Sequence, residues 1–298
     1  MKKSILCFFA GFFAAINVFA SEPTTTYALV RDLADSFEES LKLNPPPIPI
    51  DLKLAKQQHE TYIDLLKMLI PNVIRINADE NHPDCNFIED TAIIVGDTVI
   101  ISRMGALERR GEEEPVILAL EKLGMKNLIR IESPGTLDGG DILYTGKHLF
   151  AGLSSWTNEM ALNQLKEIFQ GKVDVIGVPV TEGLHLKSLL TRFDQETLVI
   201  ADSPGGRSLQ EKIEQEIGEC YNFVYVPDSV SSNVLKIGSN LVVQRGFPKS
   251  EKILQDLCDR KKVDLFSINL SELIKADGAL TCGSLLFNLP DSKRFYGQ

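Results

Sequence analysis

This chain is short of positive charge, of cysteine and of histidine, and each shortage closes off a class of function. Lysine and arginine number 31 against 41 acids, giving a net charge of −10 over 298 residues. That balance argues against nucleic acid or an anionic membrane as partner; it suits a small cation, or simply solubility. Five cysteines match no small disulfide framework, and 44% hydrophobic residues can bury a core that needs no staples. Four histidines leave little imidazole for a metal centre. Long apolar runs are missing except at the start, where Lys2 and Lys3 precede a mostly apolar stretch from Ile5 to Phe19. That stretch is too short for a comfortable membrane span and is soon interrupted by Glu22-Pro23. With Val18 and Ala20 at the cleavage positions it reads as a signal peptide over residues 1–20, leaving an exported single domain over 21–298, periplasmic or secreted. Cleavage would remove Cys7 and leave Cys85, Cys220, Cys258 and Cys282. Cys258 shares a helical face with Ile253, Leu254 and Leu257, the pattern of a core thiol.

What the chain does have is a repeat. Glu89, Asp138, His185, Asn233 and Cys282 follow one another at intervals of 49, 47, 48 and 49 residues. Each stands at the mouth of an apolar run, and a tight turn and a second apolar run generally follow. Helices with readable ends lie between these strand pairs. One covers 51–70 and stops at Pro71; one opens at Glu112-Glu-Glu-Pro and closes at Gly124. Thr157 caps a third that ends before Gly171, Ser208-Leu-Gln-Glu211 has capping-box spacing, and Ser250 caps a fifth reaching about Arg260. A further apolar strand usually follows the helix, as in Leu128-Ile-Arg-Ile131 and Phe223-Val-Tyr-Val226. The reading is α/β, with about five ββαβ units and Tyr27-Ala-Leu-Val-Arg31 pairing near the C-terminal strand. An all-β propeller blade has a similar repeat length but carries no helix. If the units surround a common axis, a Cys, a His and several carboxylates converge there.

Those residue types define a chemistry. Cys282, in Asp277-Gly-Ala-Leu-Thr-Cys-Gly-Ser284, has small neighbours that leave room for a substrate. With His185, at the entry to a strand, it fits a thiol nucleophile and its acid/base partner. Asp138, in Thr136-Leu-Asp-Gly-Gly-Asp141, could orient that imidazole, although such a turn also binds its own backbone. Asp84, Glu89 and Asp90 put three acids within seven residues, where they raise one another's pKa unless a cation joins them. A planar guanidinium matches carboxylates bidentately, a metal would recruit histidines as well, and a solvated acidic loop is the plain alternative.

The strings PDCNFIED (83–90), TLDGGDILYTG (136–146), GLHLKS (183–188) and DGALTCGS (277–284) together resemble the dimethylarginine dimethylaminohydrolases of the guanidine-modifying pentein superfamily. The resemblance covers roughly residues 25–290. It implies a five-bladed α/β propeller of ββαβ modules and a single pentein-type catalytic domain. It also implies hydrolysis of a small guanidinium substrate, an Nω-methylated arginine, to citrulline and an amine, with no metal and no organic cofactor. Cys282 would be the nucleophile, His185 the general acid/base and Asp138 its orienting carboxylate. Asp84, Glu89 and Asp90, helped by Asp277, would hold the guanidinium. Arg103, in Ile101-Ser-Arg-Met-Gly105, would meet the amino-acid end, and the segment around Leu33 would be the mobile loop over the site. One position departs from the pattern: Trp156 stands where the family typically has an arginine for the substrate's carboxylate. The alternatives are therefore the same chemistry on arginine, agmatine or another guanidine, and an exported guanidine-binding protein with a vestigial site. A papain-like protease places its Cys early and its His late, the reverse of the order here.

Overall fold

Among the described residues, ten of the fifteen strands belong to antiparallel pairs followed by a crossover helix or preceded by one, and the periodicity of the chain is the periodicity of that module. The structure, a computed structural model, describes residues 24–291; the expected signal peptide lies outside them. Strand β1 (Thr24–Arg31), helix α1 (Leu52–Leu69) and strand β2 (Asn72–Ile76) come first. Then follow β3 (Ala92–Val95), β4 (Thr98–Ile101), α2 (Glu113–Lys122) and β5 (Asn127–Arg130). The third unit is β6 (Ile142–Tyr144), β7 (His148–Leu153), α3 (Glu159–Ile168) and β8 (Asp174–Pro179). The fourth is β9 (Leu190–Arg192), β10 (Thr197–Ala201), α4 (Pro204–Ile217) and β11 (Asn222–Val226). The fifth is β12 (Leu235–Ile237), β13 (Asn240–Gln244), α5 (Pro248–Lys261) and β14 (Asp264–Ile268).

Each unit makes one three-stranded sheet, its first two strands antiparallel and its last two parallel across the helix. The last strand, β15 (Leu285–Pro290), pairs antiparallel with β1, Tyr27 opposite Phe287, so the first blade is completed from the far end of the chain. This is the five-bladed pentein propeller, closed where the Tyr27–Arg31 run was expected to close it. Glycines at positive φ make the tight hairpins, Gly96 at +63° and Gly238 at +53°.

The core is not one mass but five layers, each between neighbouring sheets and each packed around one of the five long helices. Ile93 and Ile100 from one blade meet Ile142 and Leu149 from the next, with Leu162 and Leu165 of α3 between them. Cys258 lies in the equivalent layer with Leu254 and Leu257, as its helical spacing implied.

Three helix starts differ from the sequence reading, each for a local reason. Asn158, not Thr157, caps α3, its side chain accepting from Ala161 N–H at 3.0 Å. Helix α4 begins before Ser208: Ser203 caps it through Gly206 N–H, and Pro204 supplies the first turn's fixed φ. Pro248 likewise starts α5 ahead of Ser250, whose hydroxyl donates to Asp228 at 2.7 Å instead.

What positions the chemistry is the entry to each blade. Short 3-10 turns at 88–91, 139–141, 186–188, 229–232 and 281–283 lead into β3, β6, β9, β12 and β15. Residues of all five of these strands line one cavity, so the strands surround a common axis. The repeated residues Glu89, Asp138, His185, Asn233 and Cys282 lie in or beside these turns.

Candidate active site

Asp84, Asp90, Asp138, His185, Asp277 and Cys282 line one pocket of about 140 Å³ at the head of this axis. Two of them are in direct contact. His185 Nε2 lies 3.2 Å from Asp138 Oδ2, and the other oxygen of Asp138 accepts Gly105 N–H at 2.9 Å. The Asp-Gly-Gly-Asp string is therefore not a self-contained turn. A Cβ on Gly139 would fall 2.0 Å from the Glu89 carbonyl, and one on Gly140 only 2.6 Å from His185 Nδ1. Two glycines are needed because this turn is wedged between the Glu89 backbone of one neighbouring blade and the His185 ring of the other. Gly140 N–H then donates to Asp90 Oδ1 at 2.8 Å, while Asp141 accepts Leu186 N–H at 2.9 Å and Ser154 Oγ–H at 2.6 Å.

These contacts set the protonation states. Burial works to lower the His185 pKa, but Asp90, Asp141 and Asp138 together outweigh it and lift it to about 9. Burial, then the negative charges of Glu89 and Asp90, push the Cys282 thiol up. The resting pair at neutral pH is thus an imidazolium beside a thiol. For Asp90 burial is again the largest influence, yet His185 and Arg109 prevail and hold its carboxyl below the usual range. Asp90, Asp138 and His185 also bring ligand atoms within 4.8 Å of one another. Each already has a protein partner there, so the group is self-satisfied without an ion.

Arg109 is the residue that sequence reasoning missed. It lines the pocket, donating from Nη1 to Asp90 at 2.7 Å, from Nε and Nη2 to Glu112 at 3.1 and 2.9 Å, and from Nη2 to the Phe87 carbonyl at 3.1 Å. Its neighbours in sequence, Arg103 and Arg110, are arginines of equal apparent promise, so only the three acids at 112–114 hinted that a buried pair lay here.

Three expected residues do not join the pocket. Arg103 sends Nη1 to the Gly135 carbonyl at 3.0 Å. Leu33 packs into the core with Phe37 and Phe87, and the segment at the pocket is Leu41–Leu43 instead. That segment is held by its backbone: Leu41 N–H donates to Asp84 at 3.1 Å, and Leu43 N–H to Asp277 at 2.6 Å. Asp277 adopts φ +58°, a left-handed conformation that aspartate tolerates better than most residues. Glu89 turns the other way, accepting from Lys187 Nζ at 2.6 Å and Thr281 Oγ1 at 2.7 Å. In a 3-10 turn successive side chains diverge by about 120°, so adjacent acids cannot serve one pocket. Asn233 carries no chemistry here; it clamps the cysteine's turn, accepting Thr281 N–H at 2.9 Å and donating to the Lys187 carbonyl at 3.0 Å.

A cysteine, a charged histidine and paired acids at the head of such a propeller define a hydrolase of guanidinium C–N bonds. The arginine deiminase family model matches residues 51–208, and the chain belongs to that family. Among its relatives, the N(G),N(G)-dimethylarginine dimethylaminohydrolase of Pseudomonas aeruginosa is 29% identical over 261 residues, 86% of this chain and 96% of that one. The enzyme of the same name from Streptomyces coelicolor is 29% identical over 264 residues, 87% and 95% of the two chains. The structure of the Pseudomonas aeruginosa enzyme complexed with citrulline is similar with a TM-score of 0.78 at 26% identity, covering 88% of this chain and 99% of that one.

Proposed function

We propose that this protein hydrolyses Nω-methylated arginine to citrulline and a methylamine through a covalent intermediate on Cys282. The observation that carries the reading is the convergence of Cys282, His185, Asp138 and Asp90 on one pocket. The likeness to the two dimethylarginine hydrolases supports the choice of substrate.

The chemistry follows from the resting charges. Asp90 holds the planar guanidinium, and the incoming cation offsets the carboxylates that keep Cys282 protonated, so the thiol gives its proton to solvent as substrate binds. The thiolate attacks the central carbon to give a neutral tetrahedral adduct. His185, already protonated, gives its proton to the departing amine nitrogen; the C–N bond breaks and an S-alkylthiouronium remains. The imidazole, now neutral, takes a proton from water as water attacks the same carbon. Collapse of that adduct passes its hydroxyl proton to the departing sulfur, which restores the thiol and leaves the urea group. Asp138 keeps the imidazole in place through both halves.

One observation favours a second reading of the substrate. Trp156 lines the pocket, Arg109 is committed to Asp90, Glu112 and a carbonyl, and Lys42 donates to the carbonyls of Glu38 and Ser40, leaving little cationic capacity for a substrate carboxylate. A guanidine without a carboxylate fits that wall better. Amine release from asymmetric dimethylarginine, monomethylarginine, arginine and agmatine, offered in parallel with Cys282→Ala as control, decides. Dimethylamine with citrulline supports the first reading, turnover of agmatine alone the second, and silence across all four from folded, reduced protein overturns both in favour of a binding protein. The leader at residues 1–20 adds that the reaction follows export. Recovery of the uncleaved chain from the cytosol would overturn that part.

A further inference from the structure

The axis of the propeller has a second mouth. Contacts of Glu89 with Lys187 and Thr281 form a floor beneath the pocket, and beyond them lies a cavity of about 200 Å³. Lys187, Arg192 and Lys236 face it against a single acid, Glu89, in a chain whose net charge is −10. That acid is already engaged by Lys187 and Thr281. Arg192 of β9 and Lys236 of β12 stand on adjacent blades and repel each other. Arg192 is partly buried, and its guanidinium makes no hydrogen bond or ion pair among the described residues. Lys236 Nζ donates to the Gly238 carbonyl and lies 5.7 Å from the centre of the Phe193 ring. Asp194, an acid outside the cavity whose charge reaches both cations, is paired with Lys261 at 3.0 Å. Burial pushes the pKa of both Arg192 and Lys236 down and outweighs Asp194, which acts on each from beyond ion-pair distance, so neither cation has a carboxylate in contact with it.

We propose that this far cavity binds a small oxyanion, a carboxylate or phosphate, gripped by the Arg192 guanidinium and flanked by Lys236. A planar fork with free N–H donors matches two oxygens at once, and a neighbouring ammonium adds charge without demanding geometry. Tyr144, on the same wall, offers a phenol from a third blade. The site is independent of the guanidine chemistry, since the floor of Glu89, Lys187 and Thr281 separates it from Cys282.

Calorimetric titration of the protein with sodium phosphate and with sodium malonate, at ionic strength fixed with chloride, tests this. Saturable binding at one site is expected, weakened about tenfold or more by Arg192→Gln, less by Arg192→Lys, and unchanged by Cys282→Ala. A preference for phosphate or for malonate would assign the anion's class. Lys236→Gln, at a partly exposed position, serves as the second variant should Arg192→Gln not fold. Absence of saturable binding of both anions, or equal binding by wild type and the neutralised variants, overturns the proposal.

Discussion

Glu89 and Asp90 are consecutive residues, both acidic, both buried, and they belong to opposite mouths of the propeller. Asp90 faces the near pocket, where His185 and Arg109 hold its carboxyl ionised against the cost of burial. Glu89 faces the floor, where burial prevails over Lys187 and its pKa is raised. The mouths differ in the same sense: acids dominate the near one, bases the far one. The turn at the entry to β3 sends one side chain above and the next below the ring. One residue of sequence therefore separates a group that can hold a substrate cation from one that closes the floor.

The largest expected effect lies at the near mouth. Cys282→Ala removes the nucleophile and is expected to lower amine release about 10⁴-fold or more, with binding of the guanidine retained. Binding lost together with turnover would mean that the variant had disturbed the pocket rather than the chemistry. Next, Asp90→Asn should separate sharply from Glu89→Gln. Asp90→Asn removes one of the two carboxylates paired with Arg109 in a buried site, which costs about 3 kcal/mol of stability on top of a collapse in turnover. Glu89→Gln is expected to keep turnover within about tenfold and to speed iodoacetamide alkylation of Cys282, because one of two carboxylates raising that thiol is gone. Matching losses in the two variants would break the distinction between the mouths.

Much of this architecture was legible in the chain because repetition survives divergence. The period of the five turns, the hairpin glycines and the apolar runs gave the module, and Tyr27–Arg31 gave its closure. The site was legible where motif and turn coincide, as at Asp138, His185 and Cys282. It was not legible where the answer depends on which way a turn points. Nothing local distinguishes Glu89 from Asp90, since the divergence is created by the backbone of a 3-10 turn and resolved by Lys187, 98 residues away. Arg109 and Arg103 present the same difficulty: their partners, Glu112 and Gly135, are known only once the blades are in place. Leu33 lies in the core, about ten residues before the segment at the pocket, because a resemblance in motif carries a position along the chain but not the packing of the side chain there.

The near mouth also has a signature in pH. Folding raises the His185 pKa from 6.5 to about 9, so its stabilisation is fully present below about 6.5 and is lost as pH rises toward 9. Folding depresses the Asp90 pKa below 3.8, so its contribution is present above that value and disappears as pH falls further. Denaturant unfolding over a pH series should therefore find these two contributions jointly greatest between about 4 and 6.5. His185→Gln should flatten the alkaline side by about 3 kcal/mol at most, the equivalent of its shift. An alkaline slope unchanged in that variant would remove His185 as the cation that the acids of this mouth hold.

The smallest expected effect divides the near mouth within itself, between the end that holds the guanidinium and the wall that meets the rest of the substrate. Trp156 presents an indole there, whose N–H can make one hydrogen bond and carries no charge. Trp156→Arg would add a fork for a carboxylate beside an Arg109 whose donors are largely occupied. For dimethylarginine the expected result is a KM lower by about tenfold with kcat nearly unchanged, since the new contact is the same in ground and transition states. For agmatine, whose tail is an amine, the added cation should raise KM instead. The ratio of the two substrates is the informative quantity, because loosened packing at position 156 would move both KM values in the same direction. A ratio that stays fixed would mean that the substrate's tail does not lie against this wall, and that the acids holding the Leu41–Leu43 segment, Asp84 and Asp277, define the other end of the substrate.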